Sequence, residues 1–305
     1  MPNRVAVYAT DSLPLQARQS LEGFELIEGA ADDETLARCQ ALICWPHRLP
    51  QGLVGKMKGL KMIQALTAGV DAFDFSTLPP GVQIFSNAGA FTETVAEHAW
   101  GLVLGVAKGV HVRKERTTPR KLRGKTLVVV GAGSIGSETA RLGRSLGMKT
   151  VGVSRSFRSP EAFDVKRPMS DLAGAVKEAD VIVMALPLTK STRGVITYDL
   201  LMGAKDSVIA VNVGRGESVS EDGLIRWLRE RPESRFATDV FWVRGGKESF
   251  DTAAWDLPNF AGTLHDAGAP LGEDLSGIKA AAAANVRRFF ETGKALNQVD
   301  PGEYI

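Results

Sequence analysis

The chain has 305 residues, 44% hydrophobic and 24% charged, with 37 Lys and Arg against 35 Asp and Glu, a net charge of +2. That balance excludes a disordered, collagen-like or disulfide-framework protein and gives no broad field for nucleic acid or an acidic membrane surface. At about 150 residues per domain, the length suggests two domains. Cys39 and Cys44 fit neither a zinc motif nor a redox pair, so they are expected to be reduced and buried, and no metal site is expected. The opening Met1-Pro2-Asn3-Arg4-Val5 lacks the apolar core of a secretory signal. No apolar run reaches the roughly 20 residues of a membrane span. A cytoplasmic α/β protein is expected.

In chain order, apolar runs suited to parallel strands buried on both faces are Val5 to Tyr8, a weaker Phe24 to Ile27, Ala41 to Trp45, Met62 to Leu66 and Val82 to Phe85. Helices with one polar side lie between them, at Leu13 to Leu21 and Asp33 to Gln40. This reads as a doubly wound sheet of about five strands. A long apolar helix, Thr94 to Val110, is expected to cross from one domain to the other. The basic stretch Lys114 to Lys125 reads as a solvated connection. A second series of strands follows: Thr126 to Val130, Thr150 to Val153, Val181 to Leu186, Val208 to Val213, Phe236 to Val240 and Phe260 to Thr263. Ser218 and Glu221 have the spacing of a capping box, and Thr197 can cap the helix carrying Leu200 and Leu201. A last helix is expected from after Leu271 to about Glu291.

The second series opens with a dinucleotide signature. Strand Leu127-Val128-Val129-Val130 runs straight into Gly131-Ala132-Gly133-Ser134-Ile135-Gly136, followed by a helix over Glu138 to Leu146 closed by Gly147. In this strand–turn–helix setting, Gly131 permits the turn, Gly133 lets backbone approach a pyrophosphate, and Gly136 lets helix and strand pack closely. The helix N-terminus, with Ser134 and Ile135, supplies N–H groups for phosphate. The next strand ends Val153-Ser154-Arg155-Ser156, without the acid that holds an NAD ribose. Ser154 and Arg155 suit a 2′-phosphate, so NADP(H) is predicted over NAD(H), with Arg158 a weaker second contact.

Three later loops should meet at the carboxyl edge of this sheet: Asn212-Val213-Gly214-Arg215-Gly216, Thr238-Asp239-Val240-Phe241 and Thr263-Leu264-His265. Beside a nicotinamide, Arg215 would hold a carboxylate and polarise its neighbouring carbonyl. His265 would protonate the alkoxide. With Thr67-Ala68-Gly69-Val70-Asp71, Val95-Ala96-Glu97-His98, Leu186-Pro187-Leu188-Thr189 and Asn297-Gln298-Val299, these motifs resemble those of the D-isomer-specific 2-hydroxyacid dehydrogenases over most of the chain. The resemblance implies a flavodoxin-like substrate domain from residues 1–92 and 270–305, a Rossmann cofactor domain from residues 93–269, and a homodimer. It implies catalytic roles for Arg215 and His265, and substrate contact by backbone at Ala68, Gly69 and Val70. It places Asp239 against the nicotinamide carboxamide, with Leu186, Pro187, Thr192 and Val213 also along the cofactor. His98 reads as structural.

One departure stands out. The family acid that pairs with the histidine falls, by spacing, on Arg244. A buried cation there would lower the histidine's pKa. Three outcomes remain: Glu248 or Asp251 reaches His265 from a rearranged loop, His265 works without a partner, or the chemistry is altered. Trp45 and Arg48, after the third strand, would bound the pocket and bind the far end of a small 2-oxo acid such as glyoxylate or hydroxypyruvate. A formate dehydrogenase is the enzymatic alternative, although Phe91 stands where formate enzymes carry Asn. An NADP-sensing binding protein is the non-enzymatic one.

Overall fold

The computed structural model describes residues 4–112, 117–268 and 275–304. The chain divides into two compact units, Met1–Phe91 with Gly272–Ile305, and Thr92–Leu271. In the first unit, strands β1 (Ala6–Ala9), β2 (Glu25–Glu28), β3 (Ala41–Cys44), β4 (Met62–Ala65) and β5 (Gln83–Phe85) form a wholly parallel sheet in the order β2-β1-β3-β4-β5. This is the flavodoxin-like order. Residues of β1, β3 and β4 alternate between two apolar clusters, Tyr8, Leu42 and Ile63 on one face and Val7, Ile43 and Met62 on the other. Burial on both faces explains the unbroken apolar runs. Helices α1 (Leu15–Ser20), α2 (Asp33–Arg38) and α3 (Leu53–Lys56) connect the strands. Asp32 caps α2, accepting from the Thr35 N–H at 2.8 Å. Both cysteines are buried. Burial pushes the Cys44 thiol up to about 12 and raises that of Cys39.

The second unit begins with α4 (Thr92–Lys108) and carries a seven-stranded parallel sheet. Its strands are β6 (Thr126–Val130), β7 (Lys149–Val153), β8 (Val165–Arg167), β9 (Val181–Met184), β10 (Ile209–Asn212), β11 (Arg235–Thr238) and, after an antiparallel ribbon of β12 (Trp242–Arg244) and β13 (Lys247–Ser249), β14 (Phe260–Gly262). The order β14-β11-β10-β9-β6-β7-β8 is the Rossmann arrangement with one added strand, and it reverses direction between β6 and β9. Helices α5 (Ser134–Ser145), α6 (Leu172–Glu178), α7 (Tyr198–Met202) and α8 (Glu221–Glu230) complete the unit, and α9 (Ser276–Thr292) belongs to the first, packed on α1. No helix among the described residues is long and apolar enough to cross a membrane.

Several expectations need correction. Helix α4 packs on α5, β10, β11 and β14, within its own unit. Helix α5 starts at Ser134, four residues before the expected Glu138, because Gly133 itself is the N-cap. The cap of α8 is Ser220, which accepts from Gly223 N–H. Ser218 instead lies in a short 3-10 turn and donates to the Arg215 carbonyl. The expected solvated connection is only partly described, since residues 113–116 lie outside the described residues. Beyond them Leu122 is buried, and Arg120 donates to the carbonyls of Ser207 and Glu233, so this stretch docks on the unit. The last helix, expected from after Leu271, begins at Ser276; residues 271–274 before it lie outside the described residues.

Candidate active site

The glycine loop follows from close packing. Gly131 has φ +99°, and a Cβ there would sit 2.6 Å from the Ala185 carbonyl oxygen on the neighbouring β9 loop. At Gly136 a Cβ would be 1.9 Å from the Gly131 carbonyl oxygen. Gly133 differs: nothing lies within 4 Å of its Cβ position. The loop is thus closed on its protein side and open at Gly133, above the N-terminus of a 12-residue helix led by Ser134 and Ile135. That fits a pyrophosphate. The Arg158 N–H donates to the Ala132 carbonyl at 3.0 Å, tying the segment after β7 to the glycine loop. Ser154 and exposed Arg155 follow β7 directly, and no acid stands there.

The loops after β9, β10 and β11 interlock through glycine. A Cβ on Gly214 would meet the Leu186 backbone at 2.6 Å, and one on Gly216 the Phe241 carbonyl oxygen at 2.1 Å. Between them, Arg215 donates to the Gly214 carbonyl at 2.8 Å. Buried Asn212 holds the loop, donating to the Arg215 carbonyl and accepting from Gly214 N–H. Leu186 and Val213 are buried and Pro187 is exposed. The Thr192 hydroxyl is used within its own loop, accepting from Thr189 N–H at 2.8 Å and donating to the Pro187 carbonyl at 2.6 Å.

Asp239 is 2% exposed, and its carboxylate gathers the histidine loop. It accepts from the Thr263 hydroxyl at 2.7 Å, from Asp266 N–H at 2.9 Å and from Ala267 N–H at 3.2 Å. The Thr263 hydroxyl donates to Asp239, so it must accept from His98, whose Nε2 is 2.7 Å away and therefore carries its proton. His98 thus serves this clamp, in keeping with its structural reading. The clamp holds His265 at φ +59°, with its N–H donating to the Asp239 carbonyl at 2.8 Å.

His265 Nδ1 lies 2.6 Å from Glu248 Oε2, and Glu248 Oε1 accepts from Phe241 N–H at 2.6 Å. Of the three outcomes left open at Arg244, the structure shows the rearranged loop with Glu248. Asp251 is not the partner; its carbonyl accepts from Arg244. The hydrogen bond to Glu248 is the main cause of a raised His265 pKa, opposed by burial and Arg215 and aided by Asp239.

In the first unit, Ala68, Gly69 and Val70 follow β4 in a turn held by a Thr67 hydroxyl bond to the Gly69 carbonyl at 2.5 Å. None of the N–H groups of residues 68, 69 and 70 is bonded to backbone among the described residues. The Trp45 indole donates to Asp11 at 3.0 Å, and the Arg48 guanidinium lies 5.9 Å from the centre of its ring. Lys279 of α9 pairs with Asp11 at 3.2 Å. Neither Asp11 nor Lys279 was expected: Asp11 follows β1 at the same edge as Trp45, a usable signal, whereas Lys279 arrives from the far end of the chain.

The family model for the D-isomer specific 2-hydroxyacid dehydrogenase NAD-binding domain matches residues 82–267. The chain therefore belongs to the D-isomer-specific 2-hydroxyacid dehydrogenase family of oxidoreductases. It is 28% identical over 283 residues to a hydroxypyruvate reductase of Thermotoga maritima, covering 86% of this chain and 91% of that one. It is 31% identical over 212 residues to a glyoxylate reductase of Aeropyrum pernix, covering 64% of this chain and 63% of that one. A solved structure from Pyrobaculum aerophilum, provisionally described as a formate dehydrogenase, is 30% identical with a TM-score of 0.80, covering 98% of this chain and 99% of that one.

Proposed function

We propose that the protein reduces a small 2-oxo acid, glyoxylate or hydroxypyruvate foremost, to the D-2-hydroxy acid with NADPH. The observation that carries this reading is the 2.6 Å His265–Glu248 pair in a unit that also presents Arg215 and an open glycine loop. When bound at Gly131, Gly133, Ser134, Ile135 and Gly136, the dinucleotide supplies hydride. Ser154 and Arg155 are suited to its 2′-phosphate, where an acid would repel it.

Arg215 takes the substrate carboxylate in a forked pair and polarises the adjacent carbonyl. In the first unit, the N–H groups at Ala68, Gly69 and Val70 are suited to a carboxylate, and Trp45 and Arg48 to the far end of a small 2-oxo acid. Glu248 accepts from His265 Nδ1–H, which fixes the ring and leaves Nε2–H for the substrate. His265 Nε2 gives that proton to the carbonyl oxygen as the carbon becomes tetrahedral.

The sign of the pH dependence follows. Reduction needs protonated His265, so kcat/KM holds below its raised pKa and falls tenfold per pH unit above it. Glu248→Gln removes the main cause of the elevation and moves that fall to lower pH. The test is the initial rate of NADPH oxidation with glyoxylate and hydroxypyruvate, NADH run in parallel. Turnover favouring NADPH supports the reading; tight NADPH binding without turnover of any 2-oxo acid overturns it. The binding-protein alternative rested on Arg244 lying beside the histidine. Arg244 pairs with Glu221 instead, and no observation favours that alternative.

A further inference from the structure

We propose that the Arg244–Glu221 ion pair is a positioning device, strapping the β12–β13 ribbon to the first turn of α8 so that Glu248 stays against His265. This rests on the reading of Glu248 as the histidine's partner. The ribbon has three residues in each strand and joins neither sheet. Its turn, Gly245-Gly246, has φ +58° and +79° and carries no side chain that could brace it. A two-stranded ribbon of this kind is marginal in water unless something outside it holds it. Yet it bears the acid that the histidine needs.

Two anchors hold it, and both reach the start of α8. At one end, the buried Trp242 indole donates to the Val219 carbonyl at 2.8 Å. At the other, Arg244 Nη2 meets both oxygens of Glu221 at 2.6 and 2.7 Å, while its Nη1 donates to the Ser249 hydroxyl and the Asp251 carbonyl. Val219 and Glu221 flank the capping residue Ser220. Glu221 sits at the helix N-terminus, where negative charge is favoured, so its carboxylate is a stable anchor for the guanidinium.

The pleat assigns the two faces. Val243 pairs with Glu248, whereas Trp242 pairs with Ser249 and Arg244 with Lys247. Cross-strand partners share a face and neighbours along a strand do not. Trp242 and Arg244 therefore clamp one face to α8, and Glu248 stands on the other, toward His265. The cation in the family's acid position has become the support for an acid placed four residues later.

Charged groups facing His265 are Glu248 on β13, Arg215 after β10 and Asp239 after β11. Those facing Arg244 are Glu221 on α8 and its cross-strand neighbour Lys247. The Arg244 side chain is 45% exposed, so the pair adds little to global stability, and its loss should be read at the site rather than in the melting temperature.

The test titrates the His265 ring by NMR in the dinucleotide-free protein, with assignment by His265→Gln, alongside the pH profile of kcat/KM. Arg244→Ala and Glu221→Gln are each made in the wild-type and Glu248→Gln backgrounds. Removing the Arg244 charge would, by direct field alone, raise the midpoint; releasing the strap lowers it. The expected result is a lower midpoint in both single variants, in the direction of Glu248→Gln. In Arg244→Ala, kcat falls roughly tenfold with KM for the 2-oxo acid unchanged. Neither substitution should shift the midpoint further once Glu248 is Gln. Arg244→Lys, which keeps the charge and one contact, should recover part of the wild-type midpoint. The proposal is overturned if Glu248→Gln lowers the midpoint while Arg244→Ala leaves or raises it, or if the single-variant shifts persist undiminished in the Glu248→Gln background. If Arg244→Ala does not fold, Glu221→Gln in the two backgrounds decides, because a field effect survives loss of Glu248 and a strap effect does not. An unmoved midpoint in Glu248→Gln itself marks failure of the partner reading, and the strap falls with it.

Discussion

Two glycines of the dinucleotide loop, three residues apart, should respond to the same added methyl in opposite ways. At Gly136, a Cβ would lie 1.9 Å from the Gly131 carbonyl oxygen and 3.0 Å from Val129 Cγ1. Carbon and oxygen approach to about 3.3 Å, so the start of α5 must withdraw from β6 by about 1.4 Å. The nearest atom is backbone and cannot rotate away. Overpacking of this kind costs about 3 kcal/mol, at the upper end of its usual range. At Gly133 the Cβ position is open, and φ −71° suits any residue. Gly133→Ala should change stability by no more than about 0.5 kcal/mol. Its methyl would occupy the space left for a pyrophosphate, so NADPH affinity should fall at least tenfold, about 1.4 kcal/mol. Urea unfolding followed by tryptophan fluorescence gives the first quantity, and titration of NADPH fluorescence gives the second. A Gly133→Ala protein as destabilised as Gly136→Ala, or one binding NADPH as tightly as wild type, would refute the assignment of separate packing and binding roles.

Further predictions concern cofactor choice, thiols and capping. Arg155→Ala should weaken NADPH binding and leave NADH binding nearly unchanged, measured by parallel titrations; a wild type indifferent to the two cofactors would remove the reason for the prediction. Cys44, with its thiol pushed up to about 12, and buried Cys39 should resist a thiol reagent in the native state and react at the rate of global unfolding. Labelling at the same rate with and without denaturant would contradict this. Ser220→Ala should destabilise the protein by about 1 kcal/mol through loss of the α8 cap, read as a lower urea midpoint.

What could be read from the sequence was mostly local. Most inner strands of both sheets are largely apolar runs because both faces are covered, so they are visible without knowing their partners. The glycine loop, Asn212 to Gly216 and the His265 loop each follow a strand, and the rule that sites form at carboxyl edges gathers them. β8 escaped because Val165–Arg167 is a three-residue edge strand with one apolar residue. By sequence Ser218 and Ser220 are equally good candidates for the α8 cap, and only the 3-10 turn over Gly216–Ser218 decides between them. Glu248 could be named only as one of two acids. Counting along the chain lands on Arg244, whereas the two-residue glycine turn brings the chain back and the pleat selects which side chain faces inward. Arg120 read as solvated because its acceptors, Ser207 and Glu233, are far away in sequence.

The conformation of His265 sets the role proposed for it against the preference of its own backbone. At φ +59° a residue with a side chain is disfavoured, and glycine would rest there more easily. Glycine could not relay a proton. On the proposed reading, selection for turnover must keep working at this position, while selection for foldability alone would let it go. A lineage that kept the scaffold for binding but no longer needed catalysis would be expected to lose the residue here first, and to gain thermal robustness as it did.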